Sequence, residues 1–321
     1  MILDRAEVLR ACHAIVDGTA DPRYSHTSHV LVRIGGEVLM DEHLGGPASA
    51  DVFSLTKSVL ATVLGVMAAR RLLPPVNQPL AYVLPELRGR PAASHTWRHV
   101  LTMTRGAETG GPWDVDEITA LPGGQVAHIA EAPQRRAPGE SFAYDNGGPH
   151  LLSAAASNVL GESVADFAQR ELFSALGIEG ATWACDPDNT PFGYAHLRLR
   201  PIDLARLGQF WLERGRCGNQ SLMDPHYLAQ MTAPQSAGGP PEDLPYGFLI
   251  WVGEQYTLAG GWAGQHVLVF PAVSAVVVTT GDPGFHPGPP PTDELPPDWR
   301  PALDLVRRHL FPLLQEPFRS A

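Results

Sequence analysis

A run that is apolar on every face constrains this chain more than anything else in it. From Ser58 to Ala69 the residues read Ser-Val-Leu-Ala-Thr-Val-Leu-Gly-Val-Met-Ala-Ala, without a charge or a polar stripe. Wound as a helix, such a segment has no face to give to water, so it belongs in an interior. It is far shorter than the roughly 20 residues of a membrane span. A packed fold must therefore surround it, and any polar group at its start needs a partner from elsewhere in the chain.

Two such groups stand at its start. Ser54 and Lys57 are three positions apart in Asp51-Val52-Phe53-Ser54-Leu55-Thr56-Lys57, which makes them neighbours on one helical face. A serine hydroxyl is a poor nucleophile unless a base lies within hydrogen-bond reach, and a lysine serves when burial lowers its pKa. Free N–H groups at the helix N-terminus can face an oxyanion forming at the serine. By itself the Ser-x-x-Lys spacing is common; its place at the head of a buried helix is what gives it weight.

Partners are suggested further on. Tyr144-Asp145-Asn146 follows a turn signal, Arg135-Arg136-Ala137-Pro138-Gly139-Glu140, and precedes the apolar segment Leu151–Ala156. Near the C-terminus, Gly260-Gly261-Trp262-Ala263-Gly264-Gln265 opens an alternating run, His266 to Phe270, that reads as a strand. Glycine there permits close backbone approach to a ligand.

With these pieces in order, the chain resembles the class C β-lactamase and penicillin-binding-protein-like serine hydrolases, including esterase, D-aminopeptidase and nylon-oligomer hydrolase members. The resemblance spans most of the chain. It rests on Phe53–Lys57, the segment Thr96–Gly106, Pro138-Gly139-Glu140 with Tyr144-Asp145-Asn146, and the late glycine-rich strand start. It implies Ser54 as the acylated nucleophile, Lys57 as its activator, Tyr144 as base or proton shuttle, and Asn146 as the residue orienting Lys57 and substrate. It further implies an oxyanion hole from the N–H groups of Ser54 and Gln265, and substrate contacts from Trp262, Ala263 and Gly264.

Two departures from the family pattern bear on substrate and mechanism. Where many members carry Lys-Thr-Gly or His-Thr-Gly, this chain has Trp262-Ala263-Gly264, which is similar to the Trp-Gly-Gly of the esterase branch and brings no cation for a substrate carboxylate. With a net charge of -11, the chain does not favour collecting anions, so a neutral or cationic ester or amide is expected. Trp262 is either a substrate contact or ordinary core packing. Asp145 replaces a residue that is usually small and neutral. It is expected to point to solvent; turned inward, its carboxylate would raise the pKa of Lys57.

Composition agrees with a globular enzyme: 321 residues, 44% hydrophobic and 18% charged. Cys12, Cys185 and Cys217 have neither metal nor redox spacing, and Met1–Leu9 has no secretory pattern, so reduced thiols in a cytoplasmic protein are expected. No membrane span is expected, and the pairs Arg70-Arg71 and Arg135-Arg136 are too short to suggest nucleic acid. His95 and His99 can share a helical face, yet no Glu follows His95 as a zinc hydrolase would require. No metal and no cofactor are expected. Oligomeric state is not legible in the sequence.

Along the chain, residues 3–16 read as a helix and residues 30–34 and 38–42 as a hairpin turning at Gly35-Gly36. Proline and short helices fill residues 72–235, with 163–176 and 201–213 the clearest amphipathic helices. Residues 246–252, 265–270 and 275–280 read as strands, and 298–314 as a closing helix. The expected fold is α/β (α+β), serine β-lactamase-like: an antiparallel sheet and its covering helices formed from residues 1–71 and 236–321, a mainly helical insertion over 72–235, and the active site at their junction. Residues 283–297, rich in Pro and Gly, are a loop that either connects elements or covers the site entrance.

The chemistry expected is acyl transfer through an acyl-enzyme on Ser54, acting on a small-molecule ester or amide. Water releases the acyl group in a hydrolase; an amine or alcohol releases it in an acyltransferase of natural-product assembly. The altered third motif and Asp145 leave room for a binding protein that kept the fold and lost turnover.

Overall fold

Gly35 and Gly36 both take positive φ, at 59° and 86°, and so make the two-residue turn that a right-twisted hairpin needs. They join β1 (Thr27–Ile34) to β2 (Glu37–His43). A computed structural model of the chain describes residues 3–281 and 298–315; the loop at 283–297 lies outside the described residues. After a long excursion the chain returns with β3 (Ser236–Gly239), β4 (Leu244–Tyr246), β5 (Trp251–Val252), β6 (Thr257–Gly261), β7 (Gln265–Phe270) and β8 (Ala275–Gly281). These build one antiparallel sheet in the order β2-β1-β8-β7-β6-β5-β4-β3. Strands from the two parts of the chain meet at β1 and β8, where Val30 to Val32 face Thr279 to Val277 in register.

Every residue of β7 and β8 is buried, so both faces of the sheet are covered. The helices doing so are α1 (Arg5–Gly18), α2 (Leu55–Ala69), α4 (Pro201–Leu212) and α5 (Leu303–His309), while α3 (Gly147–Leu160) packs against α2 and the short helices of the middle region. Helix α4, although it comes from within residues 72–235, lies directly on the sheet. At Gly208 a Cβ would stand 2.5 Å from Val276 and 2.9 Å from Val267, so only glycine lets the helix sit that close. On α1 the apolar positions Val8, Ala11, Cys12 and Ile15 are buried, and Gly18 meets Leu305 of α5.

Two expected elements differ in the structure, and one helix has no counterpart among those expected. Residues 246–252 do not form one strand: β4 and β5 fold back on each other, pairing Tyr246 with Trp251. The turn between them is apolar because it is buried, and its polar groups find distant partners. Leu249 N–H donates to the Leu101 carbonyl at 2.8 Å, and its carbonyl accepts from Ser58 Oγ at 2.6 Å. The closing helix breaks at Leu310 and resumes over Phe311–Gln315, since Pro312 has no N–H to continue the ladder. Helix α3 has no amphipathic signature, because residues 147–156 are buried on every side.

Helix α2 is the buried helix that its composition demands, with every residue from Leu55 to Met67 out of solvent. It runs behind the sheet and delivers Ser54 and Lys57 to the edge where β6 ends. No helix among the described residues is long and apolar enough to cross a membrane.

Candidate active site

Asp51 shapes the turn that presents Ser54. Its Oδ1 accepts the Phe53 N–H at 2.7 Å and the His196 N–H at 3.1 Å, while Oδ2 meets His196 Nδ1 at 2.8 Å. Phe53 adopts φ 47°, a left-handed conformation that a bulky residue holds only when its surroundings enforce it. Ser54 follows as the N-cap of α2, with its hydroxyl making no capping bond and so left for other use.

Lys57, one turn later, is 1% exposed. Its Nζ lies 2.7 Å from Ser54 Oγ, 2.8 Å from Asn146 Oδ1 and 3.2 Å from the Tyr194 carbonyl. Burial lowers its pKa to about 7, against an opposing upward pull from Asp145. A neutral amine has two N–H donors and one lone pair. Asn146 Oδ1 and the Tyr194 carbonyl take the donors, which turns the lone pair toward the Ser54 hydroxyl. The amine is thus held by three partners from three separate parts of the chain.

Tyr144 completes the cluster. Its hydroxyl lies on the Ser54 side of the cluster, its ring stacks on Trp251 at 5.9 Å between centroids, and Lys57 Nζ stands 4.9 Å from its ring centre. Burial pushes its pKa up to about 12, so the phenol keeps its proton near neutral pH. Asn146 is the N-cap of α3, where Gly147 and Gly148 allow the close approach: at Gly148 a Cβ would stand 2.6 Å from Asp145 Oδ2.

Asp145 does not point to solvent. It is buried with Arg105, which grips both carboxylate oxygens, and Oδ2 also accepts the Gly148 N–H at 3.1 Å. The sequence offered no sign of this, because an ion pair forty residues apart leaves no local pattern. The Tyr194 carbonyl was equally invisible, being a backbone group.

On the third motif, the backbone meets the Ser54 turn at Gly261. A Cβ there would stand 2.3 Å from the Val52 carbonyl and 3.2 Å from the Leu55 nitrogen. Gln265 faces Gly261 across the β6–β7 hairpin; it is fully buried, and its side-chain amide donates to the Gly281 carbonyl. Ala263 is buried with φ 59°, Gly264 has φ 88°, and both belong to the tight turn between these strands. Trp262 packs edge-on against Phe53 at 5.3 Å, one residue from the nucleophile. His95 and His99 serve the fold. His95 Nε2 meets Gln134 Oε1 at 2.9 Å, and His99 forms a reciprocal cap with Thr96.

The sequence model of the Beta-lactamase family matches residues 28–292, which contains every residue of this cluster. The chain belongs to the Beta-lactamase family. Solved structures share this Beta-lactamase fold at low sequence identity. A putative beta-lactamase from Bacteroides dorei DSM 17855 is 19% identical, with 95% of this chain and 97% of that one covered and a TM-score of 0.77. A putative 6-aminohexanoate-dimer hydrolase from Bacillus anthracis is 18% identical over 93% and 81% of the two chains, also at 0.77. EstCE1, described as a hydrolase with promiscuous acyltransferase activity, is 16% identical over 94% and 99%, at 0.72. No curated protein sequence matches the chain. The Beta-lactamase family is typically hydrolytic, and this member has the family's mixed helix and antiparallel-sheet architecture.

Proposed function

We propose that this protein is a serine-dependent acyl-enzyme hydrolase acting on a small ester or amide. The observation carrying this reading is the position of Lys57 Nζ, 2.7 Å from Ser54 Oγ, with its other bonding directions taken by Asn146 and Tyr194. Ser54 attacks the carbonyl carbon as its proton passes to the neutral amine of Lys57. Tyr144, protonated near neutral pH, gives its proton to the departing alcohol or amine and is recharged from Lys57. The developing oxyanion is received by the Ser54 amide and by backbone of the β6–β7 turn, where the sequence had suggested Gln265 and where Gly261 meets the nucleophile turn. Water, entering where the leaving group departed, then splits the acyl-enzyme.

Transfer of the acyl group to an amine or alcohol is the second reading. It needs the same acyl-enzyme, and the activity named for EstCE1, a fold neighbour, favours keeping it.

Intact mass recorded during turnover of a p-nitrophenyl acyl ester tests the proposal. An acyl adduct in the wild type that is absent from Ser54→Ala is expected. Serine-independent release, with no adduct, would remove the hydrolase and the transferase together.

A further inference from the structure

One carboxylate beside this cluster is not used by the chemistry above. Glu242 lies on the loop between β3 and β4. At the base of that loop, a Cβ on Gly239 would stand 3.4 Å from the ring of Phe142, two residues before Tyr144. At its far side, Glu242 Oε1 comes within 3.6 Å of where a Cβ on Gly260 would stand, and the next residue, Gly261, abuts the Ser54 turn. Glu242 therefore sits between the Tyr144 segment and the end of β6. Its charge acts on the Tyr144 hydroxyl, adding to the upward pull of burial.

The state of this carboxylate sets it apart from Asp145. Arg105 grips both oxygens of Asp145 in the interior. Glu242, whose side chain is 17% exposed, gives Oε2 to Arg307 Nη2 at 3.2 Å, while Oε1 faces Gly260. Ala259, Gly260 and Gly261 add no cation there. An ammonium passing over Gly260 meets a carboxylate oxygen and, 4.0 Å from where a Cβ on Gly260 would stand, the ring of Trp251, both favourable to positive charge. A substrate carboxylate in the same place meets repulsion.

We propose that Glu242 is a specificity-determining residue that receives a cationic group on the leaving-group or acceptor side of the substrate. That side follows from its loop, which lies against the segment leading into Tyr144, the group that protonates the departing atom. The assignment rests on the acyl-transfer reading for its chemistry but not for its binding.

Acetylthiocholine and S-(3,3-dimethylbutyl) thioacetate differ in one atom, a quaternary nitrogen against a quaternary carbon, and both release a thiol. In the wild type the kcat/KM ratio is expected to favour the cation by about three- to ten-fold. Glu242→Gln should bring the ratio toward one, and Arg307→Gln, which removes the carboxylate's internal counter-ion, should raise it. A wild-type ratio at or below one, or one that neither variant moves, overturns the proposal. Calorimetric binding of choline and 3,3-dimethylbutanol to Ser54→Ala, with and without Glu242→Gln, repeats the comparison without turnover. Choline must bind more tightly, and only while Glu242 is present. If p-nitrophenyl acetate shows no Ser54-dependent turnover, the acyl-enzyme reading fails and this binding comparison alone decides Glu242.

Discussion

Arg105 holds Asp145 in a buried, two-pronged ion pair, and Asp145 stands between Tyr144 and Asn146 in the chain. Two site residues are therefore anchored through the one residue between them. The same carboxylate accepts the Gly148 N–H at the head of α3, so the pair also sets where that helix begins. Its negative charge opposes the effect of burial on Lys57, and the pKa of about 7 reflects both.

Asp145→Asn should cost about 3–5 kcal/mol of folding stability, because it leaves the Arg105 guanidinium buried without a counter-charge. Chemical denaturation measures this directly. A loss below about 1 kcal/mol would mean that the pair is open to solvent in the folded protein.

Activity should rise with pH through an apparent pKa near 7 and then stay level, since Lys57 must be neutral to accept the Ser54 proton and Tyr144 holds its own to about 12. The stability contribution has a definite sign. An unfolded lysine keeps its proton to roughly pH 10.4, so between about 7 and 10.4 the unfolded state binds more protons and stability rises with pH. Below about 7 both states are protonated and the cost of burying the charge is fully present. A kcat/KM profile for p-nitrophenyl acetate, paired with denaturation at several pH values, checks both; an acid limb more than a unit away, or stability falling from pH 7 to 9, contradicts the assignment.

Tyr144→Phe should lower kcat/KM by about 10²- to 10⁴-fold for esters of poor leaving groups, the usual worth of a positioned proton donor. The loss should be much smaller for p-nitrophenyl esters, whose leaving group departs unprotonated. Equal losses across a leaving-group series would place Tyr144 in a packing role against Trp251 instead.

Gly261→Ala tests the contact between β6 and the nucleophile turn. Gly261 has φ -141°, which any residue adopts, so the obstacle is contact: the Val52 carbonyl 2.3 Å from the new Cβ, with Gln265 Cβ at 3.1 Å and the Leu55 nitrogen at 3.2 Å. Acyl-enzyme formation should drop at least ten-fold as the turn shifts. Gly45→Ala, where nothing lies within 4 Å of the added methyl, serves as the control. Matching rates in the two variants would show that the turn yields without consequence.

Interactions between neighbouring residues account for the features legible without the fold. The period and composition of 58–69 required a buried helix, three-residue spacing put Ser54 and Lys57 on one turn of it, and Gly35-Gly36 marked the hairpin. The antiparallel sheet and the covering helices followed from the order of these signals. Tertiary structure decided the rest, because it concerns groups without local signature. Among them are the Tyr194 carbonyl on Lys57, the Arg105–Asp145 and Asp51–His196 pairs, and the approach of Gly261 to Val52. Residues 246–252 read as one strand because the turn of the Tyr246–Trp251 hairpin is apolar, and that turn is stable only where Leu101 and Ser58 supply its hydrogen bonds. Helix α3 is illegible for a related reason: a helix buried all round has no polar stripe from which to read a period. Spacing told which side chains could meet, but the pKa that makes Lys57 a base comes from burial, and burial belongs to the whole fold.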